Sequence, residues 1–255
     1  MAYERTLVQI RERSFLDLQE LALLVIRRRP LPLLLALVAA TLPFVALNAW
    51  LAEGGGSFAL FACYLVLPTL EAPLATAGLT VLLGGLMFGE RPSAGQVVRA
   101  STAALVPILL YQVVLRPLLL LLPGRLAFIN EVLLLERGPW HGATGRSAQL
   151  CTGSVVDLFL HWIGAFVFAS LFLLCFLLGT GAVLNALFTS ELTWDRPTLS
   201  DLGGFQFQVG LWLVIGFFAV VRFLTYIDQR IRLEGWEVEL RLRSAGRALE
   251  EAATW

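Results

Sequence analysis

Lysine is absent from this 255-residue chain, and charged residues of all kinds make up only 15% of it, whereas 58% of its residues are hydrophobic. Soluble domains average roughly 45–50% apolar and 25% charged residues, so this balance indicates a protein whose solvent is lipid. The 19 basic residues, all arginine, equal the 19 acidic ones in number. The formal net charge is therefore zero, which gives no general attraction to nucleic acid.

Motifs of catalysis and metal binding are also missing. The chain has two histidines and three cysteines, and Cys63, Cys151 and Cys175 are too scattered for a metal site or a disulfide framework. There is no phosphate-binding glycine loop, no nucleophile elbow and no zinc-protease motif. We therefore expect no metal, no cofactor and no enzymatic activity.

Four long apolar segments predict transmembrane helices, because about 20 helical residues cross a hydrocarbon core of about 30 Å. These segments are Leu31–Leu51, Phe58–Phe88, Leu158–Phe188 and Phe205–Tyr226. The second and third are longer than a straight crossing requires. Tilting, or a break near Pro68 and Pro73, would absorb the excess.

The stretch 103–135 differs from these spans because it is interrupted by Arg116-Pro117 and by Pro123-Gly124. Neither half is long enough for a comfortable crossing. We interpret the stretch as a re-entrant helical hairpin, with two short spans as the alternative, and both return the chain to the side it came from. The sequence thus predicts an all-α transmembrane bundle of four full spans plus this hairpin.

Arginine positions predict the orientation of the bundle. The two loops Ala52–Ser57 and Thr189–Gly204 together carry one arginine and four acidic residues, whereas the other connections and both ends are rich in arginine. Arginine-rich loops stay in the cytoplasm, so both termini are predicted to be cytoplasmic. The expected location is a bacterial inner membrane.

Both ends of the chain are expected to form cytoplasmic amphipathic helices that flank a membrane bundle of residues 31–226. In residues 1–30, apolar side chains recur with the helical period, which predicts a helix lying at the interface. Its apolar face comprises Leu7, Ile10, Leu18, Leu21 and Val25. In residues 227–255 the stretch 236–243 alternates as a strand would, but the i,i+4 pairs Glu237–Arg241 and Glu239–Arg243 favour a helix.

Ionisable residues inside the apolar segments are candidate functional groups, because charge at membrane depth is costly. Glu71 lies in the second span and has two interpretations. It is a ligand of a proton or cation, or it is a carboxylate that pairs with Arg116 or is solvated near the outer interface. We prefer the latter interpretation, without a ligand. Asp157 and His161 are one helical turn apart at the start of the third span. A carboxylate that orients an imidazole is common chemistry, but a hydrogen-bonded interface pair is the interpretation we favour.

Two further sets of residues complete the candidate sites. Small residues every four positions predict a helix-packing face, directed either inside the bundle or toward a partner, because they let backbones approach closely in lipid. This face comprises Ala72, Thr76, Thr80 and Gly84. Arg146 and Ser147, with Arg125, suit a lipid phosphate on a cytoplasmic connection. The alternative, which we prefer, is that Glu136 pairs with Arg146 and closes that loop.

Three motifs occur in an order that resembles one group of bacterial membrane proteins. They are Gly89-Glu90-Arg91-Pro92-Ser93, then Glu131–Glu136 followed by Gly138 and Arg146-Ser147-Ala148-Gln149-Leu150, then Arg230-Ile231-Arg232-Leu233-Glu234-Gly235-Trp236. The chain resembles the membrane domain of glycerophosphoryl diester phosphodiesterases and related multi-pass inner-membrane proteins. The resemblance implies a membrane module without the catalytic domain, so no catalytic residue carries over. Gly145 stands where the group often has a second basic residue, which argues against phosphate binding by this loop.

Three functions are compatible with these features. The lack of catalytic motifs and the small-residue face favour a non-catalytic scaffold or accessory subunit of a bacterial membrane protein complex. A transporter or lipid-binding protein would instead use Glu71 and the Arg116 region, and an intramembrane enzyme would use Asp157 and His161. The expected partners are the lipid bilayer and other membrane subunits or a second copy of the chain, and not nucleic acid.

Overall fold

The computed structural model describes residues 14–52, 62–87, 92–112, 126–136, 140–152, 154–188 and 205–234. Helices account for 93% of these residues and strands for none, which confirms the all-α class within the described part of the chain. Four helical segments of the described residues are long and apolar enough to cross a membrane, and this agrees with the number of full spans that hydropathy predicts. They are Pro30–Leu51, Leu70–Met87, Val155–Val183 and Gln206–Leu233.

Helix α1 spans Phe15–Arg28 and begins at a capping box. The Ser14 hydroxyl accepts a hydrogen bond from the Asp17 N–H, and the Asp17 carboxylate accepts one from the Ser14 N–H. The inner face of α1 is buried, mainly against the last helix of the bundle. Its buried residues are Leu18, Gln19, Ala22 and Val25. The predicted amphipathic segment therefore packs on the protein over these residues, while residues 1–13 lie outside the described part.

Helix α2 spans Pro30–Ala52, and the described part of the second span follows as three pieces. A π-helical turn, Ala62–Val66, leads into α3, and α4 comes after a single turn residue, Thr76. The bounds of these two helices are Leu67–Ala75 for α3 and Ala77–Met87 for α4. Proline lacks an N–H and crowds the preceding turn, so Pro68 and Pro73 make a continuous helix unfavourable here. The break falls at Thr76, three residues beyond Pro73.

Helices α5, α6 and α7 are short. They span Ala94–Leu110, Ile129–Leu135 and Ala143–Cys151. Helices α5 and α6 pack against each other and both pack against α4, as the arms of a hairpin would. Residues 113–125, which include Arg116, lie outside the described part, so the choice between a re-entrant hairpin and two short spans stays a prediction.

Helices α8 and α9 span Val155–Phe188 and Phe205–Glu234. Helix α9 is central, because it packs against α1, α2, α4, α7 and α8. Of the residues in its most apolar stretch, 61% are buried. Helix α8 is peripheral: it packs mainly against α9, and none of its most apolar window is buried. Helix α9 continues past Tyr226 without interruption, so the first residues of the predicted C-terminal segment, 227–255, extend the last span.

Candidate functional site

A fully buried carboxylate, Glu131 of α6, lies at the arginine-rich end of the bundle. Its Oε1 accepts a hydrogen bond from Nε of Arg222 on α9 at 2.5 Å. Its Oε2 is also buried and has no hydrogen-bond partner among the described residues. A buried carboxylate is costly unless a cation accompanies it, so Arg222 is the group that makes the burial of Glu131 tolerable.

A second carboxylate, Glu136, joins three elements at the same end. Its Oε2 accepts a hydrogen bond from Nε of Arg146 on α7 at 2.7 Å, so the ion pair that we prefer from the sequence is present. Its Oε1 accepts a hydrogen bond from the Tyr226 hydroxyl on α9 at 2.9 Å, and Arg230 Nε lies 3.8 Å from the same oxygen. Glu136 therefore ties the end of α6 to both α7 and α9 through charge-assisted contacts.

The α9 side of this network is a ladder of residues spaced by four. Arg222, Tyr226 and Arg230 share one face of the helix because residues four apart lie one turn above each other. The Tyr226 ring is fully buried and packs against Phe128, with ring centroids 5.9 Å apart. The Arg230 guanidinium carbon lies 5.9 Å from the centroid of the Tyr226 ring, within the range of a cation–π contact.

The sequence does not single out this ladder, although the spacing Arg-x-x-x-Tyr-x-x-x-Arg at the end of an apolar span is a signal that would have found it. Its partners Glu131 and Glu136 lie about 90 residues earlier, and no local pattern connects them. We name a set of six side chains the inner network. Its members are Glu131, Glu136, Arg146, Arg222, Tyr226 and Arg230.

The residues of the predicted lipid-binding set, Arg125, Arg146 and Ser147, lie in different environments. Arg146 is partly exposed and binds Glu136, whereas Ser147 is fully buried one turn before Cys151. Burial raises the pKa of the Cys151 thiol, and hydrogen bonds with the Ala127 backbone and the Ser147 side chain oppose that rise. Arg125 lies outside the described residues, so lipid binding by this set stays a prediction.

Glu71 has a partner that the sequence does not predict. Its Oε2 accepts a hydrogen bond from Nδ2 of Asn48 on α2 at 2.8 Å, and Asn48 is fully buried. Because Arg116 lies outside the described residues, the predicted pair of Glu71 with Arg116 stays a prediction. A lone amide in an otherwise apolar span is the sequence signal that points to Asn48.

Asp157 and His161 adopt a different contact from a carboxylate–imidazole pair. His161 Nδ1 lies 2.6 Å from the main-chain oxygen of Asp157, and the His161 ring packs edge-on against Phe15 at a centroid distance of 5.0 Å. The side chain of Asp157 is exposed. Within the described ranges, no group of three or more His, Cys, Asp or Glu side chains is placed to hold a metal ion.

The predicted small-residue face extends from α3 across Thr76 into α4, and its residues are buried or half-buried within the bundle. Thr76 and Thr80 are buried, and their hydroxyls donate to the main-chain oxygens of Ala72 and Thr76 respectively. A Cβ atom on Gly84 would lie 2.6 Å from Cδ2 of Leu135, so the Leu135 side chain of α6 packs directly on Gly84.

These features define an all-α protein with four helical segments able to span a membrane and a network of partly buried ion pairs at one end. No protein-family model, curated protein or solved structure matches the chain. The likeness to the membrane domain of glycerophosphoryl diester phosphodiesterases therefore stays a prediction from its motifs, and the function is argued from the geometry alone.

Proposed function

We propose that this protein is a non-catalytic scaffold or accessory subunit of a membrane protein complex, located in a bacterial inner membrane with both termini in the cytoplasm. The observation that carries the proposal is the peripheral position of α8, whose most apolar window has no buried residue. A helix of this kind offers its whole outer surface to lipid or to a neighbouring transmembrane helix.

The outer surface of α8 also has the small residues that are typical of contacts between transmembrane helices. Four small residues recur at spacings of four, three and four along one face, and all of them are exposed in this chain. They are Cys175, Gly179, Ala182 and Ala186. No atom lies within 4 Å of a Cβ placed on Gly179. Small residues at such spacings are enriched where transmembrane helices associate, because van der Waals packing drives association in lipid. We name this surface the α8 small-residue face.

The inner network supports the same proposal from the side of chemistry. Its two carboxylates are engaged by arginines of other helices and hold α6, α7 and α9 together. These buried and half-buried charged groups of the described residues thus stabilise the packing of the helices. A rigid cytoplasmic end with a free lateral helix is what an accessory subunit needs in order to position a partner.

Cys175 makes the partner measurable, because it lies on the α8 small-residue face and the other two cysteines are buried. In a variant with Cys63 and Cys151 replaced by serine, a benzophenone attached to Cys175 should cross-link an adjacent helix in native membranes. A product of twice the chain mass identifies a second copy, and any other discrete protein adduct identifies a different subunit. Adducts with lipid alone would contradict the proposal.

Matched substitutions on α8 separate a specific contact from general stickiness. Gly179→Leu enlarges the small-residue face and should abolish co-purification of the partner in a mild detergent. Ser170→Leu adds the same bulk at an exposed position about 180° away around the helix and should leave co-purification unchanged. Equal effects of the two substitutions would refute the assignment of the contact to this face.

A further inference from the structure

Helices α2 and α9 carry the buried amides Asn48 and Gln208 at the end of the bundle away from the inner network, and they pack in a defined register. Gly216 of α9 lies against Leu37 of α2, and the rings of Phe44 and Trp212 stack with centroids 6.5 Å apart. Residue numbers thus rise along α2 as they fall along α9, so the helices are antiparallel. One further turn of the same register brings Asn48 level with Gln208.

The π-helical turn and α3 bring further polar groups to the same level. Asn48 Nδ2 donates a hydrogen bond to Glu71 Oε2 at 2.8 Å, and Gln208 Nε2 donates one to the main-chain oxygen of Tyr64 at 3.3 Å. Tyr64 belongs to the π-helical turn, and such turns occur frequently at functional sites. Four elements, namely α2, α3, α9 and the π-helical turn, therefore contribute polar groups to these two hydrogen bonds, which the register of α2 and α9 places at one level inside an apolar bundle.

The hydrogen bonding at this junction is incomplete within the described residues. Asn48 is 0% exposed, yet its Oδ1 is buried without a hydrogen-bond partner, and the same holds for the indole Nε1 of Trp212, which is 5% exposed. Glu71 accepts the hydrogen bond from Asn48, and no described arginine or histidine forms an ion pair with it. Unpartnered polar atoms are costly in an apolar setting, which points to a ligand that supplies what is missing.

We propose that Asn48, Glu71 and the Tyr64 main-chain oxygen form a binding site for a small monovalent cation of the size and hardness of Na⁺. A carboxylate, a side-chain amide oxygen and a main-chain carbonyl of an irregular helix are the oxygen ligands that hard cations prefer. The one formal negative charge, on Glu71, matches one positive charge, and the cation then takes the role that the sequence assigns to Arg116. A water that stays on the cation offers an acceptor to the Trp212 N–H, and the partial exposure of Glu71 provides a route of entry.

Thermal unfolding of the purified full-length protein in detergent tests this site. At constant ionic strength, exchange of choline chloride for NaCl should raise the Tm by about 3–5 °C for each tenfold rise of Na⁺ above its dissociation constant. Glu71→Gln and Asn48→Leu should each abolish the Na⁺-dependent shift. Asp157→Asn removes a carboxylate that is exposed and makes no ion pair with a described residue, and it should leave the shift unchanged.

A second measurement does not depend on a folded variant. The ²³Na resonance should broaden in the presence of the wild-type protein and sharpen when excess Li⁺ competes for the site. Equal Tm values in NaCl and choline chloride together with an unbroadened ²³Na line would overturn the proposal. So would a Na⁺-dependent shift that persists in Glu71→Gln, because the cation would then bind elsewhere.

Discussion

Replacement of Arg222 by methionine should destabilise the protein more than any other single arginine substitution within the inner network. Glu131 is 0% exposed, and the Arg222 side chain that neutralises it is 32% exposed. Removal of one partner of a buried ion pair typically costs about 3–5 kcal/mol, because the other charge stays buried and unpaired. The ion pair is not fully enclosed, because 32% of the Arg222 side chain is exposed, so we expect a loss near the lower limit, about 3 kcal/mol. Methionine keeps the apolar stem, which isolates the loss of charge.

The assay is equilibrium unfolding in mixed detergent micelles, followed by near-ultraviolet circular dichroism. The double variant Glu131→Leu/Arg222→Met should recover most of the loss, since it leaves no charge unpaired. Arg99→Met, at an exposed arginine of α5 that forms no ion pair with a described residue, should change stability by less than about 0.5 kcal/mol. A loss below about 1 kcal/mol for Arg222→Met, or a double variant as unstable as the sum of the singles, would refute the buried-pair reasoning.

Three further outcomes follow from the described contacts. Tyr226→Phe removes the hydroxyl that donates to Glu136 and should lower the free energy of unfolding by about 1.5–3 kcal/mol, measured in the same assay; an unchanged value would contradict a charge-assisted bond. Gly84→Ala places a methyl group against the terminal Cδ2 of Leu135 on α6, and this flexible side chain can shift, so we expect the free energy of unfolding to change by less than about 1 kcal/mol; Gly145→Ala, with open space around its Cβ, should be neutral or stabilising. Because burial raises the pKa of the Cys151 thiol, its thiolate fraction at pH 8 is reduced, and alkylation followed by mass spectrometry should be at least tenfold slower than in the unfolded chain. Equal rates in the two states would show that the thiol is accessible and unperturbed.

Hydropathy and helical period are local properties, and they were sufficient to predict the four long apolar helices. The predicted first span begins at Leu31 and the described helix at Pro30; the last span begins at Phe205 in both. The interruption of the second span also follows from local chemistry, because its two prolines disfavour a continuous helix.

The polar contacts could not be predicted in the same way, because they join residues that are distant in sequence. Glu131 and Arg222 are 91 residues apart, and Asn48 and Glu71 are 23 apart, in different helices. Each pair exists only because helix packing brings two faces together, and a single sequence carries no direct signal of which faces meet. The Glu136–Arg146 pair was predictable because both residues flank one short connection.

Membrane topology is the property on which the proposed function and the orientation of the inner network depend, and labelling of two introduced cysteines in intact spheroplasts is the most direct test of it. In a variant without native cysteines, Ser57→Cys lies in the predicted connection between the first two spans, and Ala94→Cys lies at the exposed start of α5. We predict that a membrane-impermeant maleimide labels Ser57→Cys in intact spheroplasts and labels Ala94→Cys only after permeabilisation. Labelling of Ala94→Cys from outside, or equal labelling of both positions before permeabilisation, would contradict a bundle whose arginine-rich end faces the cytoplasm.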